Sequence, residues 1–200
     1  MNRLILASDN EHKFREFCEI LSGTDTLLIK RREAGCCFEV EENGSTFAEN
    51  AYIKAKSVTD FTLIPAVADD SGICVDYLGG GPGIYSARYA AGIANDDYER
   101  MMHLLDEMKD AENRAAHYVC SICCTFPNGD VLTAEDICEG TILYKPVGDG
   151  GFGYDPVFLP KGYDRSMAQL SPEEKNAISH RGKALREFIN RYKRYIDAHK

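Results

Sequence analysis

Apolar residues recur along this chain with two periods. Leu4-Ile5-Leu6-Ala7 is an unbroken apolar run, and it predicts a short buried strand over residues 3–7. Beyond the polar stretch that follows, Phe14, Phe17, Cys18 and Leu21 return at three- and four-residue spacing, the face of a helix that Gly23 stops. Thr46-Phe47-Ala48-Glu49 has capping-box spacing, and Phe47, Ala51, Ala55 and Val58 then form the stripe of a second helix, with Lys54 on the same stripe. Residues 64–68 read as an apolar strand ending in Asp69-Asp70-Ser71-Gly72, and residues 73–77 as a further strand before a glycine-rich turn. Two carboxylates are therefore expected at a strand end. Tyr98, Met101, Met102, Leu105 and Met108 predict a core-facing third helix. Residues 116–126 and 131–137 flank Pro127-Asn128-Gly129-Asp130 as a hairpin. Ser171-Pro172-Glu173-Glu174 opens a short helix that approaches Ser179-His180-Arg181, and Leu185, Phe188, Ile189, Tyr192 and Ile196 face inward from the last helix. With no repeat or linker, the expectation is one α/β domain over residues 1–200, built on a mixed sheet, with two lobes around a cleft.

Composition narrows the partners. At 44% hydrophobic and 28% charged residues, disordered and fibrous classes drop out. The formal net charge of -9 repels a polyanion, so neither nucleic acid nor an anionic membrane is an expected partner, whereas a small anion can still bind locally. No run approaches the roughly 20 apolar residues of a membrane helix, and the first apolar run is too short for a signal peptide, which predicts a cytoplasmic protein. Most of the eight cysteines sit among core-type residues and read as reduced thiols; Cys120-Ser121-Ile122-Cys123 lacks the second pair that a zinc site needs.

Against a background of solvated acids, Asp69-Asp70 differ by position. A carboxylate after an apolar strand is costly unless it enters a polar cleft, holds a metal or caps a turn. Glu41-Glu42 alone would be a loop charge pair. Lys13 follows the polar loop Ser8-Asp9-Asn10-Glu11-His12, where amides at a helix start can hold a phosphate and a lysine adds point charge. Lys54 either snorkels to solvent or reaches a cleft, and Lys175, His180 and Arg181 are equally open. Residues 148–153 satisfy GxGxxG as a string, but a proline-interrupted extended segment follows where a dinucleotide fold needs a helix. What remains is a glycine-rich loop whose Phe152 or Tyr154 can lie against a flat ring, or a tight structural turn.

Taken in order, Ser8-x-Asn10-x-x-Lys13, Glu42-x-Gly44-x-Thr46-Phe47-x-Glu49-Asn50-Ala51, Ala68-Asp69-Asp70-Ser71-Gly72, Gly83-Ile84-Tyr85-Ser86-Ala87-Arg88-Tyr89, Gly151-Phe152-Gly153-Tyr154-Asp155-Pro156 and Ser179-His180-Arg181 resemble the inosine triphosphate pyrophosphatase family. Gln169 departs from it, since many members carry an acid there. The resemblance implies an elongated α/β fold with a central mixed sheet flanked by helices, two lobes around a nucleotide cleft, a homodimer and a need for magnesium. It also implies hydrolysis of ITP, dITP and XTP to the monophosphate plus pyrophosphate. By the same resemblance Ser8, Asp9, Asn10, Glu11, His12 and Lys13 form the phosphate loop, Asp70 is catalytic acid and metal ligand, and Glu42 is a second metal ligand. Lys54, Ser71, Phe152, Gly153, Tyr154, Asp155, Lys175, His180 and Arg181 complete the substrate-binding set.

These roles are chemically coherent. A bound triphosphate brings about four negative charges into an acidic protein, so magnesium with Lys13, Lys54, Lys175 and Arg181 must offset them. Magnesium takes one or two carboxylates and keeps several waters, which matches Glu42 and Asp70 with Asp69 in reserve. A nucleotide sensor, a dinucleotide oxidoreductase and a related pyrophosphatase for other modified nucleotides are the competing readings.

Overall fold

The computed structural model describes residues 2–199, and six strands in the order β2-β1-β3-β4-β5-β6 make its sheet. The strands are β1 (Asn2–Leu6), β2 (Thr26–Lys30), β3 (Ala66–Val75), β4 (Ala115–Thr125), β5 (Val131–Ile142) and β6 (Phe158–Pro160). The helices are α1 (Glu11–Leu21), α2 (Phe47–Thr62), α3 (Asp97–Glu107), α4 (Pro172–Ile178) and α5 (His180–Ala198). β1 pairs in parallel with both β2 and β3, while β5 and β6 run antiparallel, so the sheet is mixed as expected. The chain packs as two compact units. The first comprises residues up to Asp70, Cys120–Glu135 and the stretch from Ala184 onward; the second comprises Ser71–Val119 and Asp136–Lys183.

In the first unit the strand period of two builds two cores. Leu4, Leu6 and Val67 pack with Phe17 and Leu21 of α1 and with Leu185, Phe188, Ile189 and Tyr192 of α5. The alternate residues Ile5, Ala7, Ala66 and Ala68 pack with Ala55 and Val58 of α2. Because β1 and the start of β3 are covered on both faces, they read as unbroken apolar runs rather than alternating ones. The second unit gathers Ile73 and Val75 with Met101, Leu104 and Met108, and with Tyr118, Val157, Phe158 and Met167.

Several sequence expectations need correction. β3 does not stop at the acids but runs unbroken through Asp69-Asp70-Ser71-Gly72 to Val75, so the carboxylates lie within a strand. Lysines that reach them from helices on either face, described below, make that tolerable. Tyr77 leaves the strand in a short 3-10 turn. β2, missed altogether, is an edge strand whose Leu27 is exposed, which hides its apolar signal. The inward face of α3 is Met101 and Leu104, whereas Tyr98 and Met102 are exposed. Cys18 is likewise exposed on α1. Thr46 caps α2 as expected by accepting from the Glu49 amide, but the Glu49 carboxylate reaches back to the amide and hydroxyl of Ser45.

Candidate functional site

Asp69 and Asp70 are consecutive in a strand, so their side chains leave opposite faces of the sheet. Asp69, its side chain wholly buried, points to the α1 side, where Lys13 Nζ lies 2.9 Å from Oδ1. Asp70 points to the α2 side. There Lys54 Nζ donates to Asp70 Oδ1 at 2.7 Å and to Glu42 Oε2 at 3.1 Å, while Asn50 Nδ2 donates to Asp70 Oδ2 at 3.4 Å. Lys54 therefore reaches inward instead of snorkelling: its side chain keeps 13% of its exposure. Burial pushes the Asp70 carboxyl above the usual range, Lys54 pulls against this, and the neighbouring Glu42 adds to it. Burial also opposes the Lys54 ammonium, but Asp70, Asp69 and Glu42 together more than offset it and hold its pKa up. The sequence expectation that kept Asp69 in reserve beside Glu42 does not fit this geometry, because Asp69 faces Lys13 from the other side of the strand.

The loop before α1 is organised by Asn10, whose Oδ1 accepts from the amides of His12 at 2.9 Å and Lys13 at 3.1 Å; Ser8 Oγ in turn accepts from the Asn10 amide at 3.2 Å. Asp9 and Glu11, expected in the same phosphate loop, are turned to other partners. Arg32 donates to Asp9 at 3.0 and 3.3 Å and holds its carboxyl low, and Lys30 donates to Glu11 at 2.6 and 2.8 Å. His12 is exposed. Lys13 is thus the charge that this loop brings to the strand.

In the second unit, a glycine-rich turn wraps around one carboxylate. Asp155 Oδ2 accepts from the Phe152 amide at 2.8 Å and from Lys175 Nζ at 2.5 Å. Gly151 has φ +72°, and a Cβ there would lie 2.1 Å from Asp155 Oδ2, so this turn admits only glycine. Phe152 is 49% exposed, with Lys175 Nζ 4.4 Å and Arg181 Cζ 5.6 Å from its ring centroid. Arg181 Nη2 donates to Ser71 Oγ at 3.1 Å, and the His180 ring stacks on Tyr118 at 4.6 Å and 7°. Tyr154 is not available to stack on a ligand: it is buried, and its hydroxyl donates to the Ser86 carbonyl at 2.9 Å. The amides of Phe152, Gly153 and Asp155 already donate to Asp155, Asp97 and the Phe152 carbonyl.

Three participants carry no role in the sequence reading. Asn50 is a polar residue on the apolar stripe of α2, a signal that was present. Tyr118 lies inside an apolar strand run and gives none. Asp97, whose carboxylate tethers Gly153 at 3.1 Å, looks like any helix-start acid.

Among the described residues no three His, Cys, Asp or Glu side chains group as a metal site. Glu42 and Asp70 nevertheless converge on one ammonium, so a pair of hard oxygen donors already faces a position that holds positive charge. That donor set suits a hard, partly hydrated divalent cation. The thiols do not: burial pushes Cys123 up to about 12 and keeps it protonated.

The sequence profile of the Ham1 family matches residues 4–191. A Streptomyces coelicolor protein named dITP/XTP pyrophosphatase is 46% identical over 193 residues, covering 94% of this chain and 96% of that protein. A Bacillus licheniformis protein of the same name is 44% identical over 189 residues, with 94% and 96% covered. Among solved structures, a HAM1 protein from Coxiella burnetii superposes with a TM-score of 0.91 at 39% identity, covering 97% of this chain and all of that one.

Proposed function

The chain belongs to the Ham1 family, and from that premise we propose that it hydrolyses deaminated purine nucleoside triphosphates, namely ITP, dITP and XTP, to the monophosphate and pyrophosphate, with magnesium as cofactor. The observation that carries this reading is the convergence of Glu42 and Asp70 on Lys54 in a chain so similar to dITP/XTP pyrophosphatases.

Asp70 orients a water toward the α-phosphorus and takes its proton as the new P–O bond forms; the bond from the α-phosphorus to the bridging oxygen breaks, and pyrophosphate leaves. A carboxyl raised by burial is a better proton acceptor than a solvated one, and Lys54 keeps it ionised when water must be activated. Glu42 and Asp70 are the residues that would hold magnesium, and the ion would supply charge stabilisation for the leaving pyrophosphate. Lys13 adds positive charge for the phosphates, and its pairing with Asp69 fixes its ammonium at β3.

Base recognition falls to the second unit. Phe152 offers a half-exposed face for stacking, and Arg181 and His180 offer side-chain donors for the C6 oxo group that hypoxanthine and xanthine carry and adenine lacks. The amides of Phe152, Gly153 and Asp155 already have acceptors, which shifts recognition of the oxo group to those two side chains. Ser71 sets the direction of Arg181. Lys175 adds positive charge beside the Phe152 ring. The partner is a small nucleotide, and we propose that the working form is a homodimer in the cytoplasm; no helix among the described residues is long and apolar enough to cross a membrane.

Pyrophosphate release from ITP, XTP, dITP, ATP and GTP, with and without magnesium, tests the reading. Magnesium-dependent release from the first three, far above ATP, is the expected result, and GTP, which shares the C6 oxo group, reads out the contact at C2. Binding without release would make the protein a sensor, and equal specificity constants for ATP and ITP would overturn the substrate class.

A further inference from the structure

Asn50 is fully buried on α2 beside Phe47, Ala51, Ala55 and Val58, where a polar side chain is costly unless its amide is bonded. Its amide is used at both ends. The Gly44 N–H, which can only donate, points at Asn50 Oδ1 at 2.9 Å and so fixes which way the amide faces. That leaves Nδ2 toward Asp70 Oδ2 at 3.4 Å. Lys54, four residues further along the same helix face, takes the other oxygen of Asp70 and also Glu42. Gly44 is close enough that a Cβ there would stand 2.7 Å from both Asn50 Oδ1 and Glu49 Cβ. Glu49 adds a second clasp on the loop by accepting from the Ser45 amide at 2.6 Å and hydroxyl at 2.7 Å.

We propose that Asn50 is a positioning residue that ties the loop carrying Glu42 to Asp70, so that the two carboxylates are held at a set separation before substrate arrives. The inference rests on the hydrolytic reading above and deepens it. Asn50 does not touch the reacting atoms. It acts by holding one oxygen of Asp70 with a neutral donor while Lys54 holds the other with a charge, and by denying the loop at Gly44 freedom to swing Glu42 away. Such outer-shell partners of ligating carboxylates typically matter by 10–100-fold.

The test is a set of three variants read by turnover and by amide exchange. Asn50→Ala should lower kcat for ITP by roughly 10–100-fold with KM moved less than about threefold, raise the half-saturating magnesium concentration, and make the Gly44 amide exchange fast. Asn50→Asp keeps an acceptor for Gly44, so that amide should stay protected while kcat still falls, because Asp70 Oδ2 has lost its donor. Gly44→Ala attacks the same link from the loop side and serves where a buried Asn50 variant does not fold. In the Asn50→Ala background Gly44→Ala should cost less than it does alone, because its contact with Asn50 Oδ1 is gone while that with Glu49 Cβ remains. Wild-type kcat in folded Asn50→Ala and Asn50→Asp, or an unchanged Gly44 exchange rate in Asn50→Ala, overturns the inference while leaving the hydrolytic reading intact. A wild-type protein that releases no pyrophosphate from any of the nucleotides overturns both.

Discussion

The cluster around Asp70 and the cluster around Phe152 use the same residue types for different ends. Each has a carboxylate paired to a lysine, the part-buried Asp70 with Lys54 at 2.7 Å and the buried Asp155 with Lys175 at 2.5 Å. In the first unit a second acid, Glu42, shares the lysine, so negative charge is in excess and the carboxylates want a cation. In the second unit Asp155 spends its Oδ2 on the Phe152 amide and Lys175, and the cations Lys175 and Arg181 gather over an aromatic face. A lysine–carboxylate pair therefore does not define a role; the third group does. An extra acid makes a place suited to a cation, whereas a backbone amide makes a loop support and presents a flat ring.

If that division holds, changes in the two clusters should separate cleanly into rate and selection. The largest effect is expected for Asp70→Asn, which keeps volume but loses the charge proposed to take the water's proton and to hold magnesium: turnover of ITP should fall by roughly 10²–10⁴-fold with the near-ultraviolet circular dichroism unchanged. Near-normal turnover would remove Asp70 from the chemistry. Lys54→Met should follow, with kcat/KM down by about 100-fold, since Glu42 and Asp70 lose their shared counter-charge in a part-buried setting. In the second unit, Phe152→Ala should raise KM for ITP by about tenfold, the usual worth of one stacked base, and leave kcat within about twofold. A fall in kcat as deep as that of Asp70→Asn would collapse the distinction between the clusters. Arg181→Ala should narrow the ratio of specificity constants between ITP and ATP, because the donor proposed for the oxo group is gone.

The smallest effect concerns support rather than chemistry. The Arg165 guanidinium and the Ser171 amide hold the exposed Glu174 carboxyl below its ordinary range at the start of α4. A lowered folded value gives stability above the unfolded carboxyl pKa of about 4.3, lost as pH falls through the folded value. Melting curves of Glu174→Gln should therefore lie slightly below wild type near pH 7 and approach it as pH falls below the unfolded carboxyl pKa and through the lowered folded value. A constant gap across that range would mean that the ion pair contributes nothing.

Much of this was legible in the chain because the strongest signals are local. The apolar run at Leu4-Ile5-Leu6-Ala7, the stripe of α2 and the capping box at Ser171 each specify an element without reference to anything distant. Two kinds of feature were not. β2 sits at a sheet edge, so parallel pairing with β1, and not its own burial, makes it a strand. β3 passes through two acids that local reasoning reads as a strand end, because lysines from helices on opposite faces, Lys13 and Lys54, neutralise them. The same distance hides Tyr118 behind His180, and it gives Asn50 its partners only when the Gly44 loop and β3 meet the helix. Tyr154 shows the converse error: an aromatic in a glycine-rich loop looks like a stacking surface until its hydroxyl is found bonded to the Ser86 carbonyl.

The most direct test of the central claim is hydrolysis of ITP in water enriched in oxygen-18, with both products analysed by mass. Attack at the α-phosphorus predicts one heavy oxygen in inosine monophosphate and none in pyrophosphate, with the two products formed in equal amounts. Label in the pyrophosphate, or release of inorganic phosphate in its place, would contradict the account.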